Sequence, residues 1–243
     1  MASHEFQITV FSPEGKLHQI EYAFKAIKSS GLTSLSVRGK DCSVMISQKK
    51  VADLMIDPST VTNIYTVTPG IGCMVTGREA DGRAWMMRLR QEAFEYLQDN
   101  GSDIPVDVLA MKAADIAQLY TQKSGMRAYG VELTLCGFDR AKGPLLYKVD
   151  PAGHFVGYHA CSSGTKDQEA QNQLEKFFRE QKGFADKEMA EIVKIAIVSL
   201  QNTLGLDFKS TDVEIGIADN SGVFKMLSSK DIEAHLNVIQ KFD

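Results

Sequence analysis

The sequence predicts a layered α/β or α+β domain, because its strands and helices come in blocks. One pair of amphipathic helices follows the first group of short apolar strands, and another pair follows the second group. Strands in blocks, rather than in strict alternation with helices, argue against a doubly wound parallel sheet. The chain has 243 residues, 44% of them apolar, and no Pro/Ser-rich linker, so one large domain or two small ones would fit. The pattern alone does not fix the strand order.

The first predicted elements are a short strand, a tight turn and a helix. The β-branched residues of segment 8–11 predict the strand. Ser12-Pro13-Glu14-Gly15 predicts the turn, since proline presets φ at its first corner and glycine tolerates positive φ. The helix is predicted by an apolar stripe at spacings of three and four, which consists of Leu17, Ile20, Phe24 and Ile27.

The next block contains four strands and two helices. The strands are predicted at residues 33–37, 42–47, 64–67 and 73–76. The first helix is predicted at residues 79–98, with an inner face of Ala80, Ala84, Met87, Phe94 and Leu97. Asp103 is the expected N-cap of the second helix, with Pro105 in its first turn. The expected inner stripe of that helix is Val106, Leu109, Ala113, Ile116 and Tyr120.

The second half repeats this order. Strands are predicted at residues 131–138, 145–149 and 155–160, and Thr165 with Gln168 suggests a capping box that opens a third helix. Asp186 is the expected start of a fourth helix, and Gly205 its C-cap residue. The expected buried residues of the fourth helix are Met189, Ile192, Val193, Ala196, Leu200 and Leu204. A hairpin at 213–218 and 223–226 and a last helix at 230–241 complete the chain.

Composition excludes several classes of function. The net charge of −4 and the absence of a basic cluster argue against nucleic acid or an anionic membrane as a partner. The sequence lacks a signal-peptide pattern and any apolar run of 18 residues, so we expect a soluble intracellular protein. The four cysteines are expected to be buried free thiols. No cofactor or metal is expected, since His154 and His159 would face opposite sides of a strand.

Several motifs resemble the proteasome alpha-subunit family. The run Phe-Ser-Pro-Glu-Gly-Lys-Leu at residues 11–17, followed by Gln-Ile-Glu-Tyr-Ala at 19–23, is similar to the N-terminal signature of that family. Further similar segments lie at residues 31–34, 48–51, 120–122, 127–130 and 150–153, so the resemblance covers essentially the whole chain. Within the family, segments 31–34 and 37–42 are most similar to the alpha type-6 (iota) class.

The resemblance implies a fold and a function. The fold would be a four-layer αββα sandwich, two antiparallel sheets between helical layers, as in N-terminal-nucleophile hydrolases. Residues 1–243 would form one domain, with a gate tail and strand at 1–11, a turn and helix at 12–30 and the sandwich at 31–243. The chain would be a non-catalytic subunit of the outer, seven-membered alpha ring in the cytoplasm and nucleus. Its partners would be other alpha subunits, beta subunits, regulatory particles or activators, and unfolded polypeptide in transit.

The same resemblance implies vacant catalytic positions. Active beta relatives use an N-terminal threonine, tuned by a lysine and an aspartate. Here the nucleophile position is Leu32, the aspartate position is Gln48 and the lysine position is Asn63. An alternative remains: cleavage before Thr33 would make a self-processing amidohydrolase with the first 32 residues as propeptide. Cleavage there would be one residue out of register with the nucleophile position of the active relatives. A shift of one residue turns the side chain to the opposite face of a strand.

The resemblance also implies sites for gating, packing and docking. Glu5, Pro13 and Tyr22 would form the gate and turn cluster, although a family Tyr-Asp-Arg triplet reads His4-Glu5-Phe6 here. Asn63 would line an activator pocket weakened by the loss of a lysine that receives the activator's terminal carboxylate. The helix expected to pack on neighbouring subunits would do so through Leu17, Ile20, Phe24 and Ile27.

Overall fold

A computed structural model describes residues 9–51 and 53–240, with no account of the Gln240 side chain. The helices are α1 (His18–Lys28), α2 (Glu79–Asn100), α3 (Val106–Gln122), α4 (Asp167–Glu180), α5 (Met189–Leu204) and α6 (Ser229–Gln240). The strands are β1 (Thr33–Arg38), β2 (Cys42–Gln48), β3 (Ile64–Thr68), β4 (Ile71–Gly77), β5 (Val131–Asp139), β6 (Gly143–Val149), β7 (Phe155–Gly157), β8 (Ala160–Gly164), β9 (Val213–Asp219) and β10 (Phe224–Met226). A short 3₁₀ turn covers Pro58–Thr60.

The strands form two antiparallel five-stranded sheets. The first has the order β10-β9-β2-β1-β8, and the second has the order β3-β4-β5-β6-β7. Helices α4 and α5 cover the outer face of the first sheet with a hydrophobic core, to which α6 adds by packing on α5, while α2 and α3 cover the second sheet. Between the sheets lies a thinner layer that includes Met45, Met74, Leu146 and Phe224. The expected αββα sandwich is therefore confirmed.

The N-terminal segment differs from its prediction. Thr9 lies in a turn and Val10 in a bend, Phe11 has no regular structure, and Ile8 lies outside the described part of the chain, so no strand is seen at residues 9–11. The predicted turn is present: the Gly15 N–H donates to the Ser12 carbonyl at 2.8 Å, and Gly15 takes a φ of 76°. Helix α1 then packs across the end of the sandwich, where it contacts β4, β5 and β8.

Helix α2 buries the opposite face to the one expected. Ala80, Ala84, Met87, Phe94 and Leu97 are all exposed. The inner face consists of Asp81, Gly82, Trp85, Met86, Leu89, Glu92 and Ala93. The helix has apolar residues on both sides, and its inner face contains two carboxylates that pair with cations from beyond the helix, Asp81 with Arg127 and Glu92 with Lys112, so periodicity pointed to the wrong side.

Two predicted helix caps are wrong. Helix α3 begins at Val106 with Pro105 as its N-cap residue, so Asp103 does not cap it. Helix α4 has Lys166 as its N-cap residue with no side-chain cap, so Thr165 does not open a capping box. In both cases the first helical residue lies further along the chain than the predicted cap would place it. Helix α5 likewise begins after Asp186.

Other predictions hold or need small changes. Gly205 caps α5 in the left-handed conformation, and the inner stripe of α3 is buried or half-buried as expected. Met189 of α5 is exposed because it stands in the first turn. The strand predicted at 155–160 is divided into β7 and the start of β8. All four cysteines are free and buried, as predicted.

Candidate functional site

The start of β1 is enclosed by its own chain. Ser34 pairs with Ser47, so the preceding residue, Thr33, lies opposite Gln48 on β2. The Leu32 carbonyl accepts the Thr165 N–H at 2.9 Å, which ties this point to the end of β8. Gly164 permits that approach, because a Cβ there would lie 2.1 Å from the Leu32 carbonyl oxygen.

The hydroxyl of Thr33 is occupied by a structural contact. The Thr33 side chain is buried, and its Oγ1 accepts the backbone N–H of Lys166 at 3.3 Å. The lysines around it are also engaged: Lys166 Nζ donates to the Thr203 carbonyl at 3.0 Å, and Lys50 Nζ donates to the Gly31 carbonyl. Both ammonium groups are thus directed at carbonyls rather than at the Thr33 hydroxyl. The arrangement therefore offers no activated nucleophile at Thr33 within the described chain.

Two of the three predicted positions do come together. Asn63 Nδ2 donates to the Gln48 carbonyl at 3.3 Å, so the end of β2 and the approach to β3 are hydrogen-bonded. Gln48 is buried and Asn63 is half-buried. Leu32 precedes β1 and is half-buried, and its side chain has no group that could accept or donate a proton. These three side chains therefore supply neither a nucleophile nor a titratable group.

A buried carboxylate that sequence reasoning missed organises this corner. Glu214 on β9 accepts the Asn63 N–H through Oε1 at 2.5 Å and the Thr62 hydroxyl through Oε2 at 2.7 Å. Burial raises the pKa of Glu214, while these two hydrogen bonds oppose that shift. A charged residue inside the apolar run of β9 was the available signal, but its partner Asn63 is 151 positions away in sequence. Glu214 fixes the backbone of Asn63.

The predicted gate cluster is only partly described. Glu5 lies outside the described residues. Pro13 is exposed in the turn before α1, and Tyr22 is 58% exposed on α1, where its ring stacks on His18 with centroids 6.4 Å apart. Phe11 beside them is also exposed. These side chains form an exposed surface at the start of α1.

The apolar stripe of α1 packs against the rest of its own chain. Ile20 and Ile27 are buried within their own chain, and Leu17 and Phe24 pack beside Ile20 against Ala128. The stripe therefore docks α1 on the sandwich, and the exposed side of α1, with Tyr22, remains for other contacts. Leu17 and Phe24 are only half-buried, so a contact of these two side chains with a neighbouring subunit stays a prediction.

The loop between α3 and β5 is held against α2 by an ion pair. Arg127 donates to both carboxylate oxygens of Asp81 at 2.7 Å, and the Gly130 N–H donates to the same carboxylate at 2.8 Å. The Arg127 guanidinium therefore holds the pKa of Asp81 below its usual range, with the Gly130 N–H helping and burial opposing. This contact fixes the loop beside the start of α1.

The described residues show no membrane-spanning or metal-binding feature. None of their helices is long and apolar enough to cross a membrane. Among the same residues, no group of three or more His, Cys, Asp or Glu side chains is placed to hold a metal ion.

Comparison with known proteins agrees with this architecture. A family model for proteasome subunits matches residues 28–218, and a model of the N-terminal signature of A-type proteasome subunits matches residues 4–26. A probable proteasome subunit alpha type-1 of Schizosaccharomyces pombe is 48% identical over 97% of this chain and 96% of its own. Proteasome subunit alpha type-6 of Caenorhabditis elegans is 40% identical over 100% and 98%.

A two-sheet sandwich with an enclosed β1 and this N-terminal signature defines a class of protein. These relatives are named as different types of alpha subunit, type-1 and type-6, so the feature common to their names is the alpha class. The chain belongs to the proteasome subunit family and is of the alpha type.

Proposed function

We propose that this chain is a non-catalytic subunit of the outer alpha ring of the proteasome core, of the alpha type-6 class. The observation that carries the proposal is the chemistry of the side chains at Leu32, Gln48 and Asn63, of which the last two are hydrogen-bonded. The catalytic hydroxyl, carboxylate and ammonium of active relatives would be replaced by an alkyl group and two neutral amides. The chain would contribute to ring assembly, gating and activator docking in ubiquitin- and ATP-dependent protein degradation, while chemistry takes place on beta subunits.

Labelling with a threonine-reactive inhibitor tests the absence of catalysis. Purified particles are treated with the inhibitor, and the intact mass of this chain is measured with that of the beta subunits. We expect labelled beta subunits and an unlabelled chain that retains the residues before Thr33, because the Thr33 hydroxyl is held in a structural contact. A labelled chain with a new N-terminus at Thr33 would instead establish the self-processing amidohydrolase.

The gating part of the proposal rests on the exposed surface before and on α1. Pro13 lies in the exposed turn that precedes α1, and Tyr22 offers an exposed hydroxyl. Glu5 would supply an acceptor for that hydroxyl in place of the family triplet. Deleting residues 1–10 should leave the fold intact, since the core contacts of α1 begin at Leu17, and should raise basal peptide entry. Unchanged peptide hydrolysis by assembled particles would contradict gating by this tail.

The activator-docking part of the proposal predicts that the C-terminal tail of an activator binds weakly at Asn63. Asn63 can donate a hydrogen bond to a terminal carboxylate but adds no positive charge, and the Glu214 carboxylate bonded to its N–H adds negative potential. Activator tails should therefore prefer other pockets of the ring. The remaining partners would be alpha and beta subunits and unfolded polypeptide, with the particle in cytoplasm and nucleus. No nucleic acid, membrane, metal or cofactor enters this proposal.

A further inference from the structure

The loop between β2 and β3 carries the most exposed apolar side chains of the described chain. Leu54 is fully exposed, Met55 is 93% exposed and Ile56 follows them. Two hydrogen bonds nevertheless hold the loop in one conformation. Asp53 Oδ1 accepts the Met55 N–H at 2.9 Å, and Asp57 Oδ1 accepts the Ser59 N–H at 2.9 Å. We call residues 53–57 the tip. Apolar side chains held outward in this way indicate a contact surface.

A hollow of matching character lies at the start of α1. Its volume is about 180 Å³, and its lining includes Leu17, Ile20, Tyr120, Met126 and Ala128. A cavity of roughly 150 Å³ with apolar walls accommodates a benzene-sized group. The hollow can therefore receive the end of a leucine or methionine side chain.

The charges around the two features are opposite. The tip has a carboxylate on either side of its apolar residues, Asp53 and Asp57. The loop that lines the hollow carries Lys123 and Arg127, both exposed, although Arg127 also holds Asp81. Docking a tip of this composition on such a hollow would bring carboxylates to a basic rim, which favours that orientation over its reverse.

The two features stand at opposite ends of one helix. The hollow adjoins Leu17 at the start of α1, whereas Lys50, at the base of the tip, donates to the Gly31 carbonyl just after the end of α1. Helix α1 has 11 residues, which corresponds to roughly 16 Å. A projection at one end and a recess at the other is the arrangement that a head-to-tail ring of related subunits needs.

We propose that the tip of each such subunit inserts into the hollow of its neighbour, so that Leu54 and Met55 are lateral ring contacts. This inference rests on the proposed place in the ring. The occupant of this chain's own hollow is then the corresponding β2–β3 loop of the adjacent proteasome subunit.

Site-specific photo-cross-linking in the assembled particle tests the contact. Benzoylphenylalanine is placed at position 55 or at position 126 of the full chain, and linked peptides are mapped by mass spectrometry. Position 55 should link to a neighbour's segments equivalent to 17–20 or 120–128, and position 126 to the other neighbour's segment equivalent to 53–57. Links from position 126 to residues 1–8 of the same chain would show that the tail fills the hollow, and would overturn the proposal. Links from 55 to any other surface, or to none, would also overturn it.

Competition for incorporation gives an independent readout. The double variant Leu54→Asp with Met55→Asp should enter particles at least about tenfold less than wild type when both are co-expressed. Leu206→Asp, at an exposed leucine after α5, is the matched control and should compete normally. The free chains should unfold at the same midpoint, since all three side chains are exposed. Normal incorporation of the double variant would contradict the proposal, and a wild-type chain absent from particles would refute ring membership itself.

Discussion

The corner at the start of β1 and the surface around α1 adjoin each other, yet their side chains are satisfied in opposite ways. In the corner, Thr33, Asn63 and Glu214 find their hydrogen-bond partners within the chain. Around α1, Phe11, Tyr22 and the tip expose large apolar or aromatic groups. The difference teaches that this corner is a structural element of the chain, which on the proposed function would stand where active relatives have their reaction centre. The function of the chain would lie instead on a surface that other subunits complete.

The largest effect should come from placing a charge on the buried side of α1 rather than on its exposed side. Ile27→Asp places a charge where the side chain is only 2% exposed, and should cost about 3 kcal/mol of unfolding free energy. Tyr22→Asp on the exposed side of the same helix should cost less than about 0.5 kcal/mol. Urea unfolding of the free chain measures both. Equal losses would show that the two sides of α1 do not differ as described.

The ion pair beneath the hollow should have a smaller effect. Asp81→Asn keeps an acceptor for the Gly130 N–H but loses the charge that holds Arg127, and should cost about 1.5 kcal/mol. The Arg127 side chain is 60% exposed, so water compensates part of the loss. Glu79→Gln, on the exposed first turn of α2, is the matched control and should be near neutral.

The pH dependence of this pair has a defined sign. Because the pKa of Asp81 is lowered in the fold, its contribution is present above the unfolded pKa of about 3.9 and is lost as the pH falls through the folded value. The stability gap between wild type and Asp81→Asn should therefore close in acid. A gap that stays constant down to the acid transition would contradict the assigned ion pair.

The effect of Glu214 on stability should change with pH in the opposite direction to that of Asp81. Because burial raises its pKa, its ionisation costs stability as the pH rises from the unfolded pKa of about 4.3 through the folded value. Glu214→Gln removes this titration and keeps one acceptor oxygen for the Asn63 N–H, as the protonated carboxyl does, so the two chains should differ by less than about 1 kcal/mol at low pH. Wild type should thus lose stability relative to the variant as the pH rises above the unfolded pKa and through the raised folded pKa of Glu214. A parallel pair of profiles would show that Glu214 is not desolvated.

The smallest effect concerns activator docking. Asn63→Lys restores a cation, and a charge-assisted bond should improve affinity for an activator's C-terminal peptide by about fivefold. Glu214 lies beside the new ammonium and would neutralise part of it, so Asn63→Lys with Glu214→Gln should bind better than the single variant. Peptide titration of assembled particles measures this. No gain in either variant would place the docking site elsewhere.

The sequence was sufficient for several features that depend on local pattern, although not for the caps of α3 and α4. The blocks of strands, the stripe of α1 and the Gly205 cap all follow from spacing and turn chemistry over a few residues. Family membership followed from motifs over the whole chain and is confirmed. Gate tail, activator pocket and domain division stay predictions.

Long-range pairing is what the sequence could not reveal. The predicted inner face of α2 was wrong because Asp81, on the other face, is buried with a partner, Arg127, that is 46 positions away. Glu214 was missed for the same reason. The stripe of α1 was correctly identified as apolar, but periodicity shows that a face is buried and not which chain buries it, so the burial of Ile20 and Ile27 within the chain did not follow from the sequence.

Hydrogen exchange of this chain, free and in the assembled particle, tests the central claim most directly. We expect β1 to be equally protected in both states, because its partners are internal. New protection should appear in the particle at the tip, on α1 and in the loop between α3 and β5. Protection gained chiefly at β1, with the tip and α1 unchanged, would contradict the division between a self-contained interior and a surface completed by other subunits.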